Sequence, residues 1–200
     1  MSELKNIIFD FDGVIADSWE LIYKLSKDCD PSMTTETFIE HSCWNVFQEA
    51  KIDYLTKWVD YFFDNYNKEL SVTHLQKSLD TITLLWKKYN LYIISSNIEQ
   101  AINRVLKKAW IIDLFGAVLW YESHRSKVEK FKMLEKEFWI SNTDSIFITD
   151  TLWDIKEANE LWYRTIAETF WIHNRELLAE GNPYSIVDNW EEFISEIKKI

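Results

Sequence analysis

Near the start of the chain lies the sequence Ile7-Ile8-Phe9-Asp10-Phe11-Asp12-Gly13-Val14-Ile15. Its first residues form an apolar run without alternation, which is typical of a short strand buried on both faces of a parallel sheet. Asp10 and Asp12 are two residues apart, so their side chains point to one side if the strand geometry persists. Gly13 then lets the backbone turn away. Two adjacent carboxylates repel one another, and burial increases the repulsion. A hard divalent cation with oxygen ligands would compensate their charge.

A plainer interpretation of the same motif is a strand followed by an acidic turn, because Asp and Gly are common turn residues. One Asp-x-Asp-Gly sequence does not distinguish the two interpretations. The choice depends on what the rest of the chain places beside it.

The composition predicts one globular domain, or one domain carrying an insertion. Apolar residues make up 47% of the 200 residues and charged residues 28%. No stretch approaches the roughly 20 apolar residues of a membrane span. The N-terminus does not resemble a signal peptide, and Cys29 and Cys43 are typical of free thiols in a reducing compartment. We therefore expect a cytoplasmic protein that does not bind a membrane.

The net charge of −11 argues against nucleic-acid binding, which depends on a basic surface. The overall field would also repel an anionic substrate, so such a substrate would need a local positive site.

Strands and helices alternate along most of the chain. Further strands are predicted at 91–94, 117–119, 145–148 and 164–167, and helices at 72–89, 98–109, 128–138, 155–161 and 190–200. This alternation predicts an α/β fold with a doubly wound, Rossmann-like parallel sheet. Ligands of such sheets bind beyond the carboxyl ends of the strands.

The segment 17–71 has no strand-like run and is expected to be a small helical insertion. Helices are predicted at 19–27 and 52–66, with a further helix opening near Thr34. Apolar and aromatic residues recur at helical spacing in the second of these helices. We interpret that stripe as core packing of the insertion rather than as a cofactor site.

Polar residues follow several of the predicted strands. Ser95 ends the second strand with Asn97 close by, Asp150 ends the fourth, and Asp154 comes four residues later. Lys127 begins the helix before the fourth strand. Each has a plain interpretation as a cap, a turn residue or a solvated lysine. Their common position at strand exits favours one site shared with the two aspartates of the first strand.

These residues resemble the four motifs of the haloacid dehalogenase-like hydrolase superfamily, and the resemblance covers nearly the whole chain. The first motif, Asp-x-Asp-Gly, is matched by Asp10 to Gly13. Ser95 matches the second motif, and Lys127 matches the third, with Lys130 as an alternative. The fourth motif, Gly-Asp-x-x-x-Asp, is matched by the segment 149–154, with Thr149 in place of the first Gly.

The insertion resembles the helical cap of phosphoglycolate phosphatase and β-phosphoglucomutase relatives. This resemblance implies a core formed by residues 1–16 and 72–200, and a cap formed by residues 17–71.

The resemblance also implies a metal-dependent phosphoryl transfer. Mg²⁺ would be held by Asp10, the backbone carbonyl of Asp12 and Asp150, and Asp154 would orient a metal-bound water or Lys127. Asp10 would attack phosphorus and form an aspartyl-phosphate. Asp12 would protonate the leaving oxygen and then deprotonate the attacking water.

Ser95, the Ser96 amide and Lys127 would contact the transferring phosphoryl oxygens, and Lys127 would balance their charge. The histidines His41, His74, His124 and His173 show no ligand spacing, so we expect solvated or capping roles for them. His124 and Arg125, just before Lys127, are possible substrate contacts.

The implied function is a Mg²⁺-dependent phosphatase acting on a small phosphorylated metabolite. An alternative on the same site is a phosphosugar mutase, in which a second hydroxyl replaces water as the acceptor. A third possibility, from a different class, is a non-catalytic binding or regulatory protein. The complete set of carboxylates, serine and lysine argues against that third possibility. Neither the particular ester nor the oligomeric state follows from the sequence.

The chain holds 3 glycines and 11 tryptophans, whereas average usage of roughly 7% would give about 14 glycines. Several tryptophans stand where a turn or helix end commonly holds Gly: Trp110, Trp139, Trp153, Trp162 and Trp171. Trp44 and Trp120 are further candidates. A single hypothesis explains both the low glycine count and the high tryptophan count. The source organism would read UGA codons as glycine, whereas the sequence shows them translated as tryptophan. Drift of tryptophan to helix ends is the alternative.

Overall fold

The computed structural model describes residues 3–43 and 52–200, with side chains described for 3–43 and 58–200. The strands are β1 Asn6–Phe9, β2 Asn90–Ile94, β3 Phe115–Leu119, β4 Ser145–Thr149, β5 Arg164–Glu168 and β6 Ser185–Val187. Among the described residues the α-helices are α1 Trp19–Cys29, α2 Thr35–Ser42, α3 Ile52–Glu69, α4 Leu79–Trp86, α5 Glu99–Lys108, α6 Lys127–Phe138, α7 Leu152–Glu160, α8 Arg175–Ala179 and α9 Trp190–Ile197. Short 3₁₀ helices span Val72–Leu75 and Ile112–Leu114.

The six strands form one sheet in the order β3-β2-β1-β4-β5-β6, and every pair is parallel. β1 and β4 are buried throughout, as their unbroken apolar runs predict. The predicted α/β fold is confirmed. Because β1 lies between β2 and β4, the residues that follow these three strands are neighbours at one edge of the sheet.

Alternate residues of β1 contribute to different apolar clusters. Ile7 and Phe9 belong to a large cluster, whereas Ile8 packs with Phe131 and Phe147 in a second one. The large cluster also includes Phe62 and Tyr66 of α3, so the helical insertion is continuous with the packing of the sheet. This continuity fixes α3 close to the exit of β1.

The insertion consists of the two longer helices α1 and α3 and the shorter helix α2. α1 packs on α3, and Lys24 of α1 pairs with Glu69 of α3 at 2.6 Å. Thr34 caps α2, with reciprocal bonds to Thr37 in a capping box. No helix in the described ranges is both long and apolar enough to cross a membrane.

The structure differs from the predicted elements in two places. The helix predicted over 72–89 is divided into a 3₁₀ turn and α4, because Ser78 lies between them and its hydroxyl donates to the carbonyl oxygens of Ile15 and Leu75. β6 and α8 were not predicted, since three and five residues are too few for a periodicity to be recognised.

Candidate active site

The structure brings the polar residues of the strand exits together. A cavity of about 270 Å³ opens at this edge of the sheet. The predicted residues that line it are Asp10, Asp12, Ser96, Lys127, Asp150 and Asp154. Ser95 is fully buried beside them.

Lys127 lies between two carboxylates. Its Nζ is 2.7 Å from Asp10 Oδ2 and 2.5 Å from Asp154 Oδ2, and the Thr149 hydroxyl donates to the same Asp154 oxygen at 2.7 Å. Burial alone would lower the pKa of Lys127, but the two carboxylates reverse the effect and raise it. Lys127 is therefore a permanent cation at the exit of β1.

The pKa values of Asp10 and Asp154 shift in opposite directions, although burial acts on both in the same direction. Burial raises the pKa of Asp10 well above its usual range, and Asp154 and Asp150 raise it further against the opposing effect of Lys127. Burial would also raise the pKa of Asp154, but Lys127 and the hydrogen bonds to that carboxylate lower it. The negative charge at this edge thus exceeds what Lys127 alone can balance.

Asp12 is oriented by three donors. Oδ1 accepts hydrogen bonds from Ser18 Oγ at 2.6 Å and from the Tyr66 hydroxyl at 2.5 Å, and Oδ2 accepts one from Asn97 Nδ2 at 3.1 Å. Burial raises the pKa of Asp12, although these three bonds oppose the rise. A carboxyl group with a raised pKa and a fixed orientation is suited to donating and accepting a proton.

Asp150 lies against a glycine. Gly13 has φ +75°, and a Cβ at this position would lie 2.1 Å from Asp150 Oδ2. Only glycine therefore fits here, both for its conformation and for the space. Burial and the neighbouring Asp154 raise the pKa of Asp150 to about 8. Its Oδ1 is buried without a hydrogen-bond partner.

Ser95 and Lys130 form a support behind the cavity. The Ser95 hydroxyl accepts a hydrogen bond from the Asn97 N–H at 3.0 Å, and Lys130 Nζ donates to the Ser95 carbonyl. Lys130 is fully buried, and burial followed by repulsion from Lys127 lowers its pKa to about 7. Lys127, rather than Lys130, makes the contact with Asp10.

Sequence reasoning missed two acidic residues of this region. Glu168 ends β5, is buried, and has one oxygen without a partner; burial, Asp150 and Asp10 raise its pKa well above the usual range. Its place at a strand exit was the available signal. Glu157 accepts hydrogen bonds from Ser126 Oγ at 2.9 Å and from the Lys127 N–H at 3.1 Å, and so fixes the start of α6.

His173 departs from the solvated or capping role expected for the histidines. It is buried, its Nδ1 accepts the Leu152 N–H at 3.0 Å, and its Nε2 lies 2.9 Å from Ser42 Oγ at the end of α2. His74 has the expected capping role, with Nδ1 accepting the Ser71 N–H. His124 accepts the Ser126 N–H, and neither it nor Arg125 is among the described residues that line the cavity.

The aromatic stripe of α3 has two roles. Phe62 and Tyr66 are buried in the core, as predicted. Trp58, Phe62 and Phe63 also line the cavity, which the core-packing interpretation did not include. Trp58 stacks on Phe62 at 5.6 Å and Phe62 on Tyr66 at 5.9 Å between ring centroids, so one line of rings leads from the cavity wall to Asp12.

The donor set fits a hard cation. Among the described residues, no three His, Cys, Asp or Glu side chains are close enough to hold a metal ion as they stand, because Lys127 occupies the space between Asp10 and Asp154. Asp150 nevertheless presents a buried oxygen without a partner, and the absent Cβ of Gly13 leaves room beside it. Carboxylate and carbonyl oxygens are the ligands that Mg²⁺ prefers.

The parallel sheet thus carries a carboxylate pair, a lysine and a helical insertion at one edge. A profile of the haloacid dehalogenase-like hydrolase family matches residues 7–167. The chain belongs to this family, which confirms the resemblance found in the sequence.

Solved structures share the fold across the whole chain. A predicted phosphatase from Clostridium acetobutylicum has a TM-score of 0.81 and 18% identity, with 100% of both chains covered. A predicted phosphoglycolate phosphatase from Haemophilus somnus has a TM-score of 0.70 and 18% identity, with 98% of each covered. A putative hydrolase of this family from Bacillus subtilis, bound to magnesium, has a TM-score of 0.70 and 16% identity. The alignment covers 98% of this chain and 99% of the Bacillus chain. No curated protein matches the chain.

Proposed function

We propose that this protein is a Mg²⁺-dependent phosphatase that hydrolyses a small-molecule phosphate monoester. One observation carries the proposal: Asp10, held 2.7 Å from Lys127, and Asp12, held by three donors, face the same cavity from positions two residues apart. Asp10 has a fixed cation beside it, and Asp12 has a raised pKa and three donors that fix its orientation. These are the requirements of a nucleophile and a proton donor for an anionic ester.

In the first step the Asp10 carboxylate attacks phosphorus, a bond forms from its oxygen to phosphorus, and the ester bond breaks. Asp12 donates its proton to the leaving alkoxide. In the second step Asp12 takes a proton from water, the water oxygen attacks phosphorus, and phosphate leaves as Asp10 is restored. Lys127 balances the charge of the phosphoryl oxygens, and the Ser96 amide and the Ser95 hydroxyl would donate to them.

Mg²⁺ would be held by Asp10, the Asp12 carbonyl and Asp150. Asp154 would orient Lys127, with which it pairs. The cation would supply positive charge next to the phosphoryl group and the buried carboxylates Asp10 and Asp150. We further propose that residues 17–71 act as a cap that excludes water during transfer.

The first experiment measures hydrolysis of 4-nitrophenyl phosphate with Mg²⁺, with EDTA and with excess Ca²⁺. We expect turnover with Mg²⁺ only, and at least about a 1000-fold loss in Asp10→Asn, because a neutral amide cannot attack phosphorus. Asp80→Asn, at an exposed position in α4, is the matched control and should retain activity. Turnover in metal-free buffer, or appreciable activity of folded Asp10→Asn, would contradict the proposal.

A second experiment separates the phosphatase from a phosphosugar mutase on the same site. The products from a hexose phosphate would be analysed for inorganic phosphate and for an isomeric sugar phosphate. We expect inorganic phosphate alone.

A further inference from the structure

The described residues on the cap side of the cavity are mostly apolar. The residues that form this wall are Trp19, Ile22, Phe38, Trp58, Phe62 and Phe63. Among the described residues, the same side adds the hydroxyls of Ser18, Ser26 and Ser42 and the imidazole of His41. Trp153 and Trp171 line other parts of the cavity, and the apolar cap wall is complete without them.

The rings of this wall are fixed by one another. Trp19 contacts Tyr23 at 5.2 Å and Phe38 at 5.0 Å between ring centroids, and Tyr23 contacts Phe38 at 5.5 Å. Rings held at these distances present a rigid surface. The wall is therefore a preformed surface rather than a set of side chains exposed by chance.

Among the described residues, the one lysine that lines the cavity lies at its floor. Of the described side chains that line it, Lys127 is the one lysine or arginine, and Asp10 and Asp154 already pair with it. Asp12, Asp150 and Glu157 also face the cavity. A second anionic group on the substrate would lose its hydration against an apolar wall and gain no cation in return, which is costly.

The volume of the cavity shows which leaving groups fit inside it. An apolar cavity of roughly 150 Å³ holds a benzene-sized molecule. A cavity of about 270 Å³ therefore has room for a phosphoryl group and one ring.

We infer that the substrate is a phosphate monoester of an apolar alcohol about the size of one aromatic ring, without a second anionic group. This inference rests on the proposed function. It disfavours phosphoglycolate, which carries a carboxylate, and sugar phosphates, whose several hydroxyls would find few partners on the cap side. The Ser26 and Ser42 hydroxyls leave room for a single polar substituent.

The test compares benzyl phosphate, 2-phosphoglycolate, glycerol phosphate and glucose 6-phosphate with Mg²⁺. All are alkyl esters, so an activated leaving group does not bias the comparison. We expect kcat/KM for benzyl phosphate to exceed the others by at least about tenfold, as burial of a ring on an apolar wall predicts. Equal or better turnover of phosphoglycolate or glucose 6-phosphate would overturn the inference and leave the phosphatase in place.

The variant Phe38→Ala removes one ring of the wall from α2, away from the carboxylates. We expect KM for benzyl phosphate to rise about fivefold while kcat/KM for glycerol phosphate changes less than about twofold. Trp86→Ala, which removes a half-exposed ring of α4 outside the cavity, is the matched control and should change neither value. An equal loss on both esters in Phe38→Ala would contradict a role of the wall in selectivity.

Binding of phosphonates separates failure of the inference from failure of the proposed function, because these analogues are not hydrolysed. Calorimetry with Mg²⁺ would compare benzylphosphonate with phosphonoacetate, which replaces the ring by a carboxylate. We expect benzylphosphonate to bind at least about tenfold more tightly. That result without turnover of any ester would overturn the phosphatase but retain the ligand class, and tighter binding of phosphonoacetate would overturn the ligand class.

Discussion

Three tryptophans adopt a conformation that suits glycine. Trp110, Trp139 and Trp162 have φ between +58° and +61° and are 83–91% exposed. Trp110 and Trp162 each occupy the left-handed position of a Schellman motif: the N–H of the following residue bonds back to Leu106 or Ala158. A bulky side chain is unfavourable at positive φ, and these rings gain almost no burial.

The backbone supports the glycine hypothesis at these three positions and not at the others. Trp153 is helical in α7 and Trp171 lies in a bend, and neither is among the described residues with positive φ. The backbone conformation of Trp153 therefore does not require glycine. Trp120 also lacks positive φ, and Trp44 lies outside the described residues.

The substitutions Trp110→Gly, Trp139→Gly and Trp162→Gly should each stabilise the protein by about 1 kcal/mol, because glycine removes the left-handed strain. The gains should add, since the three helix ends are separate. Urea unfolding measures them. Trp86→Gly is the matched control: it places glycine in the last turn of α4 and should destabilise by about 1 kcal/mol. UGG codons at positions 110, 139 and 162 would end the UGA hypothesis whatever the stabilities.

Lys130 should make stability depend on pH. Its pKa in the folded protein is about 7, below its value of roughly 10.5 in the unfolded chain. The unfolded state therefore binds more protons between these values, and stability rises with pH across that window. In EDTA, the free energy of unfolding of the wild type should rise with pH above about 7, by up to about 1.4 kcal/mol per pH unit relative to that of Lys130→Met.

Lys132→Met is the control for this measurement, because Lys132 is on the same helix but exposed and paired with Glu129. Its stability should run parallel to wild type from about pH 7 to about pH 9. Parallel curves for Lys130→Met as well would show that Lys130 is charged in the folded protein.

At the level of elements, the sequence predicts well where long apolar runs determine the structure. β1, β2 and β4 are buried on both faces, so their runs and the polar residues after them are visible without a structure. Glu168 could have been found by the same rule, since it ends β5. The role of His173 could not, because it depends on burial and on Ser42, a partner far along the chain that local periodicity does not report.

The contact between α2 and the loop after β5 depends on the tautomer of His173. Nδ1 accepts the Leu152 N–H, so Nε2 carries the proton and donates to Ser42. Burial lowers the pKa of His173 below its usual 6.5. As pH falls below that value the unfolded state binds the proton more readily, so folding stability decreases.

His173→Asn should remove this pH dependence, because the amide oxygen can accept the Leu152 N–H but does not titrate. At pH 7 we expect the variant to be less stable than wild type by about 1 kcal/mol, because the bond to Ser42 is missing. On acidification its stability should fall less than that of wild type. Ser42→Ala lacks the same bond but keeps the ring, so its stability should fall with acid as in wild type. A wild-type slope in His173→Asn would show that the imidazole is not the titrating group.

For the whole molecule, the parallel topology followed from the alternation of strands and helices, because parallel strands need crossover helices of one hand. The proposed substrate class could not follow from the sequence. It depends on rings from α1, α2 and α3 meeting above carboxylates from β1 and β4, a juxtaposition that only the assembled fold creates.

The net charge of −11 acts against the substrate that we propose. A phosphate monoester is an anion, and Lys127 attracts it only at short range because Asp10 and Asp154 neutralise its distant field. Salt should relieve the repulsion, since the screening length falls from roughly 30 Å at 0.01 M to roughly 10 Å at 0.1 M. With Mg²⁺ saturating, kcat/KM for benzyl phosphate should rise about two- to fivefold from about 0.02 M to about 0.2 M NaCl, with kcat unchanged.

The control is the triple variant Glu176→Gln, Glu180→Gln and Glu191→Gln, which removes three negative charges at exposed positions and changes the net charge from −11 to −8. Its kcat/KM should rise less steeply with salt. A fall of kcat/KM with salt in both proteins would contradict this prediction, because it would mean that the substrate meets a positive surface.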